Sequence, residues 1–234
     1  MYFVNWQRDI RISTINGRKV VIKKDKPIKS LNEQVLVFIF TFMSLVLLHP
    51  TRPLRTGTNL LKNEGFLSRK KLLQIGILTP QLIQIDNDVI IEEFIEEGNL
   101  YTFLDRNNDM SFAFRVGKIT RKLHDAGFCF IDNKAQNYLI RDSQIYRTDL
   151  GLIQNQATEY MKSLDIGIFL ASLLDLGDGK YQQIENFFLK GYRNKDSSKF
   201  VMPYLSIIIR NIASLVLSSN HNNLAKNLLA KSEI

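Results

Sequence analysis

The stretch that most limits how this chain can fold is FIDNKAQNYLIRDSQIYRTDLG, from Phe130 to Gly151. Two acidic residues, Asp132 and Asp149, bracket Lys134 and Asn137. Between them an apolar run, Tyr138 to Ile140, passes through a polar turn into Ile145 and Tyr146. Strand-like runs on either side of a polar turn predict a β-hairpin. Asp132 and Asn137 then precede its first strand and Asp149 follows its second. Aspartate and asparagine at such places either cap turns with their own side chains or converge on one ligand.

The flanking sequence places this hairpin in a chain of α+β class. Upstream, β-branched residues on both sides of Asn16-Gly17 form a strong hairpin signal, with Val20 to Lys23 in a strand that Pro27 ends. An apolar helix is expected over about 33–49, followed by a breaker zone from His49 to Gly57. Leu60, Leu61, Glu64, Leu67 and Leu72 suit one helix that runs past Gly65 and stops at Gly76. Two strands follow around Asp86-Asn87-Asp88. EEGNLYTFL starts a short helix, and SFAFRVGKITRKLHDAG reads as a longer one, with Ser111 its cap and Gly127 its stop. From about Glu159 onward the pattern is helical. The expectation is a small β-rich lobe over 1–95, carrying the inserted helix, and a mainly helical lobe over 96–234, joined near Glu93 to Gly98. A cleft between two lobes is a common place for a ligand.

Composition narrows the function classes. The chain has 234 residues, 45% of them apolar, enough for a sizeable core. One cysteine, Cys129, excludes an internal disulfide framework and fits a reducing compartment. His49, His124 and His221 are too scattered for a zinc signature. A net charge of +8 favours an anionic partner or is simply a lysine-rich surface. No basic run is interleaved with aromatics, so nucleic acid is not expected as a direct ligand. Arg8, Asp9 and Arg11 interrupt the start, and no secretory leader is expected there. Val35 to Leu48 is shorter than the ~20 residues a spanning helix needs and suits a buried or interfacial helix.

The hairpin and its flanks resemble the protein-kinase-like superfamily. Its catalytic loop reads Asp-x-x-x-x-Asn, often with lysine two residues after the aspartate, and Asp132, Lys134 and Asn137 match; its Asp-Phe-Gly is matched by Asp149-Leu150-Gly151. The resemblance implies a two-lobed kinase fold that transfers the γ-phosphate of ATP to a hydroxyl with magnesium. Asp132 would orient the acceptor and take its proton, Lys134 would sit near the transferring phosphate, and Asn137 and Asp149 would hold the metal. VVIK resembles the strand motif Val-Ala-Ile-Lys. That makes Lys23 the contact to the α- and β-phosphates, with Lys24 directed to the opposite face and Glu64 as the partner of Lys23. The backbone at Glu93, Phe94 and Ile95 would meet the adenine edge. Asp165 either braces the catalytic loop or begins a helix. The resemblance covers about Val20 to Tyr192.

The short gap between Asp149 and Asp165 leaves no room for a long activation segment, as in small atypical kinases: RIO-like, KEOPS-associated, or bacterial lipopolysaccharide-core (Kdo) kinases. Two departures stand out. No glycine-rich loop precedes VVIK, and Phe130 replaces the family histidine. The expected activity is that of an atypical protein serine/threonine kinase in the cytoplasm, acting on a protein. The alternatives are a sugar kinase with a glycolipid acceptor, peripheral on the inner face of the membrane, and a pseudokinase or nucleotide-binding scaffold.

Overall fold

The structure is a computed structural model that describes residues 8–26, 29–54, 62–86, 88–177, 179–193, 203–218 and 220–229. The architecture is α+β: a small β-sheet N-terminal region is followed by a helical C-terminal region, the element order of a kinase-like fold. The chain separates into two compact units. One comprises Met1–Glu97 with Tyr146–Leu152, the other Gly98–Ile145 with Ile153–Ile234.

The sheet of the first unit begins with β1 (Arg8–Ile15) and β2 (Arg18–Asp25). Asn16 (φ 50°) and Gly17 (φ 76°) turn between them. Two successive left-handed residues make the tight turn whose twist matches its strands, which explains the Asn-Gly dipeptide. After α1 (Lys29–Val46) and α2 (Phe66–Gln74) come β3 (Leu82–Asp86) and β4 (Val89–Glu93). The sheet order is β1-β2-β4-β3, antiparallel throughout. Tyr146–Leu152 is tied to this unit by the Arg147 N–H, which donates to the Leu78 carbonyl at 2.8 Å.

Two expectations need correction here. The helix drawn through Gly65 is broken at that residue: Gly65 is extended (φ −74°, ψ 178°), with 62–64 helical before it and α2 after it. Glycine gains least from helix and tolerates the break; Leu60 and Leu61 lie outside the described residues. The inserted helix starts and ends earlier than expected, because Leu48 takes a left-handed φ of 59° just before His49-Pro50.

The second unit holds α3 (Leu100–Arg106), α4 (Ser111–Asp125) and β5 (Phe128–Cys129). Next come β6 (Tyr138–Arg141), β7 (Gln144–Arg147), whose last two residues belong to the first unit, and β8 (Gln154–Asn155). Four helices follow: α5 (Glu159–Ala171), α6 (Lys180–Tyr192), α7 (Pro203–Leu217) and α8 (His221–Leu229). Asn99 caps α3 by accepting the Thr102 amide at 2.9 Å. Thr158 caps α5 through Met161 N at 3.2 Å. Ser111 does not cap α4: its amide donates to Asp109 Oδ1 at 2.9 Å, so the carboxylate two residues upstream satisfies the helix start. Gly127 (φ 78°) ends α4 as expected. α4 packs on α6 and α5 on α7. At the first contact Gly117 and Gly191 let the backbones approach so closely that a Cβ on either would collide with a carbonyl oxygen of the other helix.

Candidate functional site

In the second unit the residues expected to form a catalytic loop are drawn together by a strained turn. Ile131 has φ 68°, costly for a β-branched residue, and the Asp132 amide donates back to the Phe130 carbonyl at 2.9 Å. Asp165 on α5 compensates. Its Oδ2 accepts the Phe130 amide at 2.7 Å and its Oδ1 the Ile131 amide at 2.6 Å. Asp165 is fully buried in mid-helix, so it braces the loop and does not start the helix. His124 Nε2 lies 3.2 Å from Asp165 Oδ2, and His124 Nδ1 lies 2.9 Å from Tyr192 Oη.

Asp132, Lys134 and Asn137 meet on this turn. Lys134 Nζ is 2.8 Å from Asp132 Oδ1. Asn137 Nδ2 donates to the Asp132 carbonyl at 2.9 Å and to Asp132 Oδ2 at 3.3 Å, so the nitrogen end of the amide is committed to the loop. A single 3₁₀ turn, Ala135–Asn137, spaces them. The Ala135 amide donates to Ser172 Oγ at 3.0 Å, and Asn133 Nδ2 donates to the Asp165 carbonyl at 3.1 Å. The sequence reading missed Asn133 and Ser172. Asn133 offered one cue, an amide inside the motif that is fully buried and also accepts from Tyr138 Oη.

The first unit holds the other expected residues. Lys23 is buried and Lys24 exposed, as strand alternation requires. The pairing of Lys23 with Glu64 is not formed. Lys23 Nζ lies 2.5 Å from Glu92 Oε1 and donates to Thr148 Oγ1 at 2.6 Å, and Thr148 Oγ1 donates to Glu92 Oε1 at 2.8 Å. The cause is register. Val21 faces Glu92 across β2 and β4, so Lys23 and Glu92 share a face as diagonal neighbours. Arg69 Nη2 holds the other oxygen of Glu92 at 2.8 Å. Burial pushes the Glu92 carboxyl up, but the Lys23 and Arg69 charges outweigh it and hold the pKa below the usual range.

Glu64, fully buried, instead accepts the Gly151 amide at 3.2 Å and faces Arg69 at 3.6 Å. Asn63 Nδ2 donates to the Gly151 carbonyl at 2.8 Å. These contacts fix the turn carrying Asp149, which is left-handed (φ 58°), with a side chain 41% exposed. Glu93 and Phe94 spend their amides within the unit, on the carbonyls of Gln81 (2.9 Å) and Lys19 (3.3 Å). No hydrogen bond to the Ile95 amide is present among the described residues.

Comparison with known proteins finds relatives over about half of the chain. No family model matches the chain. It is 29% identical over 128 residues to a probable bifunctional tRNA threonylcarbamoyladenosine biosynthesis protein of Methanosphaera stadtmanae, a match covering 53% of this chain and 24% of that protein. It is 25% identical over 131 residues to the KEOPS complex subunit Bud32 of Pyrococcus abyssi, covering 53% of this chain and 58% of the subunit. A probable serine/threonine-protein kinase BUD32 homolog of Archaeoglobus fulgidus is 24% identical over 127 residues, 54% of this chain and 63% of the homolog. Over about half its length this chain is similar to small atypical kinase-like proteins. Among the three types that the sequence resembles, these relatives point to the KEOPS-associated one. The chain spans about a quarter of the bifunctional relatives and about three fifths of the shorter ones.

Proposed function

We propose that this chain is an ATP- and magnesium-dependent phosphotransferase that moves a phosphoryl group from ATP to a hydroxyl, in the manner of an atypical protein serine/threonine kinase. The observation that carries the reading is the cluster of Asp132, Lys134 and Asn137 on a strained turn held by buried Asp165. Strain maintained by surrounding structure is typical of functional sites. Asp132 orients the acceptor hydroxyl and receives its proton as the oxygen bonds to phosphorus and the bond to the departing phosphate breaks. Lys134 lies beside the transferring group. Lys23 meets the α- and β-phosphates, and the Ile95 amide, with the backbone of Glu93 and Phe94, meets the adenine edge.

By the resemblance Asp149 and Asn137 would hold magnesium, and each taken by itself offers a hard oxygen donor: a partly exposed carboxylate, and an amide whose nitrogen is committed elsewhere. Magnesium neutralises phosphate charge when bound. Among the described residues Glu64 has no contact with Lys23; it holds the turn of Asp149 instead. The acceptor is a protein, the chain works in the cytoplasm, and, as for the relative named a KEOPS subunit, it assembles with protein partners.

A second reading, an acceptor at a membrane surface, has one observation in its favour. Val35, Phe38, Ile39, Phe42, Leu45 and Val46 are exposed along α1, with the Phe38 and Phe42 rings stacked. Among the described residues no helix is long and apolar enough to cross a membrane. Flotation with anionic liposomes at low salt tests this reading, and failure to float removes it.

Calorimetry with Mg-ATP, followed by phosphoryl-transfer assays of the wild type and Asp132→Asn, tests the main reading. Binding by both proteins with transfer lost in Asp132→Asn supports it. No binding by the wild type refutes the nucleotide site. Equal turnover by the two proteins leaves a pseudokinase.

A further inference from the structure

The carboxylate of Asp149 is already engaged by a cation that the chain supplies. Arg8, the first residue of β1, places Nη1 2.9 Å from Asp149 Oδ1 and 3.3 Å from Glu64 Oε1. Its Nε donates to Asp25 Oδ1 at 2.7 Å, and Arg8 and Asp25 face each other across β1 and β2. One part-buried guanidinium thus gathers three carboxylates from a strand, a helical turn and the Asp149 turn. Burial opposes its charge, but Asp149, Glu64 and Asp25 outweigh burial and raise its pKa further above the ordinary arginine value. Sequence motifs give Arg8 no role.

We propose that Arg8 is a positioning residue for Asp149: it holds the carboxylate through an ion pair that a divalent cation must displace, which couples metal binding to withdrawal of Arg8 onto Glu64 and Asp25. The inference rests on the phosphotransferase reading. A magnesium ion binds carboxylate oxygen at about 2.0–2.1 Å and demands its own geometry. A guanidinium on the same oxygen repels the ion and blocks that approach. Withdrawal does not strand the guanidinium, because Asp25 and Glu64 still hold it. By linkage, whatever Arg8 contributes against the metal, the metal contributes against the Arg8–Asp149 pair.

The test is equilibrium binding of Mn²⁺, alone and with a non-hydrolysable ATP analogue, to the wild type, Arg8→Gln, Asp149→Asn and the double variant. Losing one charge-assisted hydrogen bond corresponds to roughly ten- to a hundredfold in affinity. Arg8→Gln is therefore expected to bind Mn²⁺ at least tenfold more tightly, with no gain in the Asp149→Asn background. Unchanged Mn²⁺ affinity in Arg8→Gln, or an equal gain without Asp149, overturns the proposal. If the wild type binds neither Mn²⁺ nor the analogue, the phosphotransferase reading fails instead. Because Arg8→Gln removes a charge that three carboxylates share, the wild type is also followed by NMR of the Arg8 Nε–H, assigned with Arg8→Lys. Saturating Mg²⁺ with the analogue is expected to shift that signal, and a signal that does not move overturns the proposal.

Discussion

Asp165→Asn isolates the device that presents Asp132. The carboxylate accepts two backbone amides, Phe130 at 2.7 Å and Ile131 at 2.6 Å, one on each oxygen. Asparagine keeps one acceptor and turns an N–H₂ toward the other amide. Each hydrogen bond to a buried charged group contributes about 1.5–3 kcal/mol. The turn it restrains stores about 1–3 kcal/mol at Ile131 (φ 68°), which then favours opening. A loss of about 3 kcal/mol in local opening energy follows, roughly a hundredfold in the opening equilibrium. Native-state amide hydrogen exchange is the suitable assay because it reads opening locally. Protection of the Phe130 and Ile131 amides should fall by that factor, while amides at the α4–α6 contact stay within a fewfold of wild type. Loss of protection below about threefold at both amides would refute the bracing argument, and a uniform loss would show that Asp165 serves general stability instead.

Glu92→Gln should destabilise the first unit by about 3–5 kcal/mol, since it leaves Lys23 and Arg69 buried without their carboxylate. Because the fold lowers the Glu92 pKa, its contribution is complete above the ordinary value of 4.5 and is lost as pH falls through the lower folded value. The difference in melting temperature between wild type and variant should therefore be flat near neutrality and shrink in acid. Burial raises Tyr181 and Tyr160 to about 12 each; for Tyr181 the Arg210 charge only partly opposes this. Their neutral forms stabilise the fold fully below the ordinary value of 10, and stability should fall as pH rises from there toward about 12, with phenolate absorbance appearing in the same step. Gly117→Ala should lower the melting temperature although alanine gains about 1 kcal/mol of helix propensity, because its Cβ meets the Phe188 carbonyl; a stabilised variant would show that α4 and α6 have room to part.

Much of this fold was legible because the deciding signals are local. Asn16-Gly17 declares its hairpin through a backbone demand that only a few residue types meet. Gly127 declares the end of α4 in the same way. The joint spacing of Asp132, Lys134, Asn137 and Asp149 marked the polar hairpin, and for Asp165 the sequence left brace and helix start open, which its contacts decide for the brace. What stayed illegible depends on partners distant in sequence. An acid is needed beside the buried Lys23, and strand register puts Glu92, not Glu64, on its face. Arg8 reads as an ordinary basic residue until folding sets Asp25, Glu64 and Asp149 around it. Ser111 was read as the cap, and Asp109, which accepts the Ser111 amide instead, was not singled out.

The strained positions carry a further argument. Local propensity opposes a left-handed isoleucine, so no sequence rule would place one at 131, and an aspartate at φ 58° is only somewhat better tolerated. Yet Ile131 immediately precedes Asp132, and Asp149 is itself the residue that the motif singles out. In each case polar side chains are arranged to hold the unfavourable backbone: buried Asp165 on the amides around Ile131, and buried Glu64 with half-buried Asn63 on Gly151, two residues after Asp149. A surface hairpin capped by Asp and Asn has no need of such supports, since its turns form in favourable conformations with water as solvent. The cost of the strain and the three polar side chains committed to maintaining it therefore weigh against the simple-turn reading of this stretch, and for residues held in place to meet a ligand.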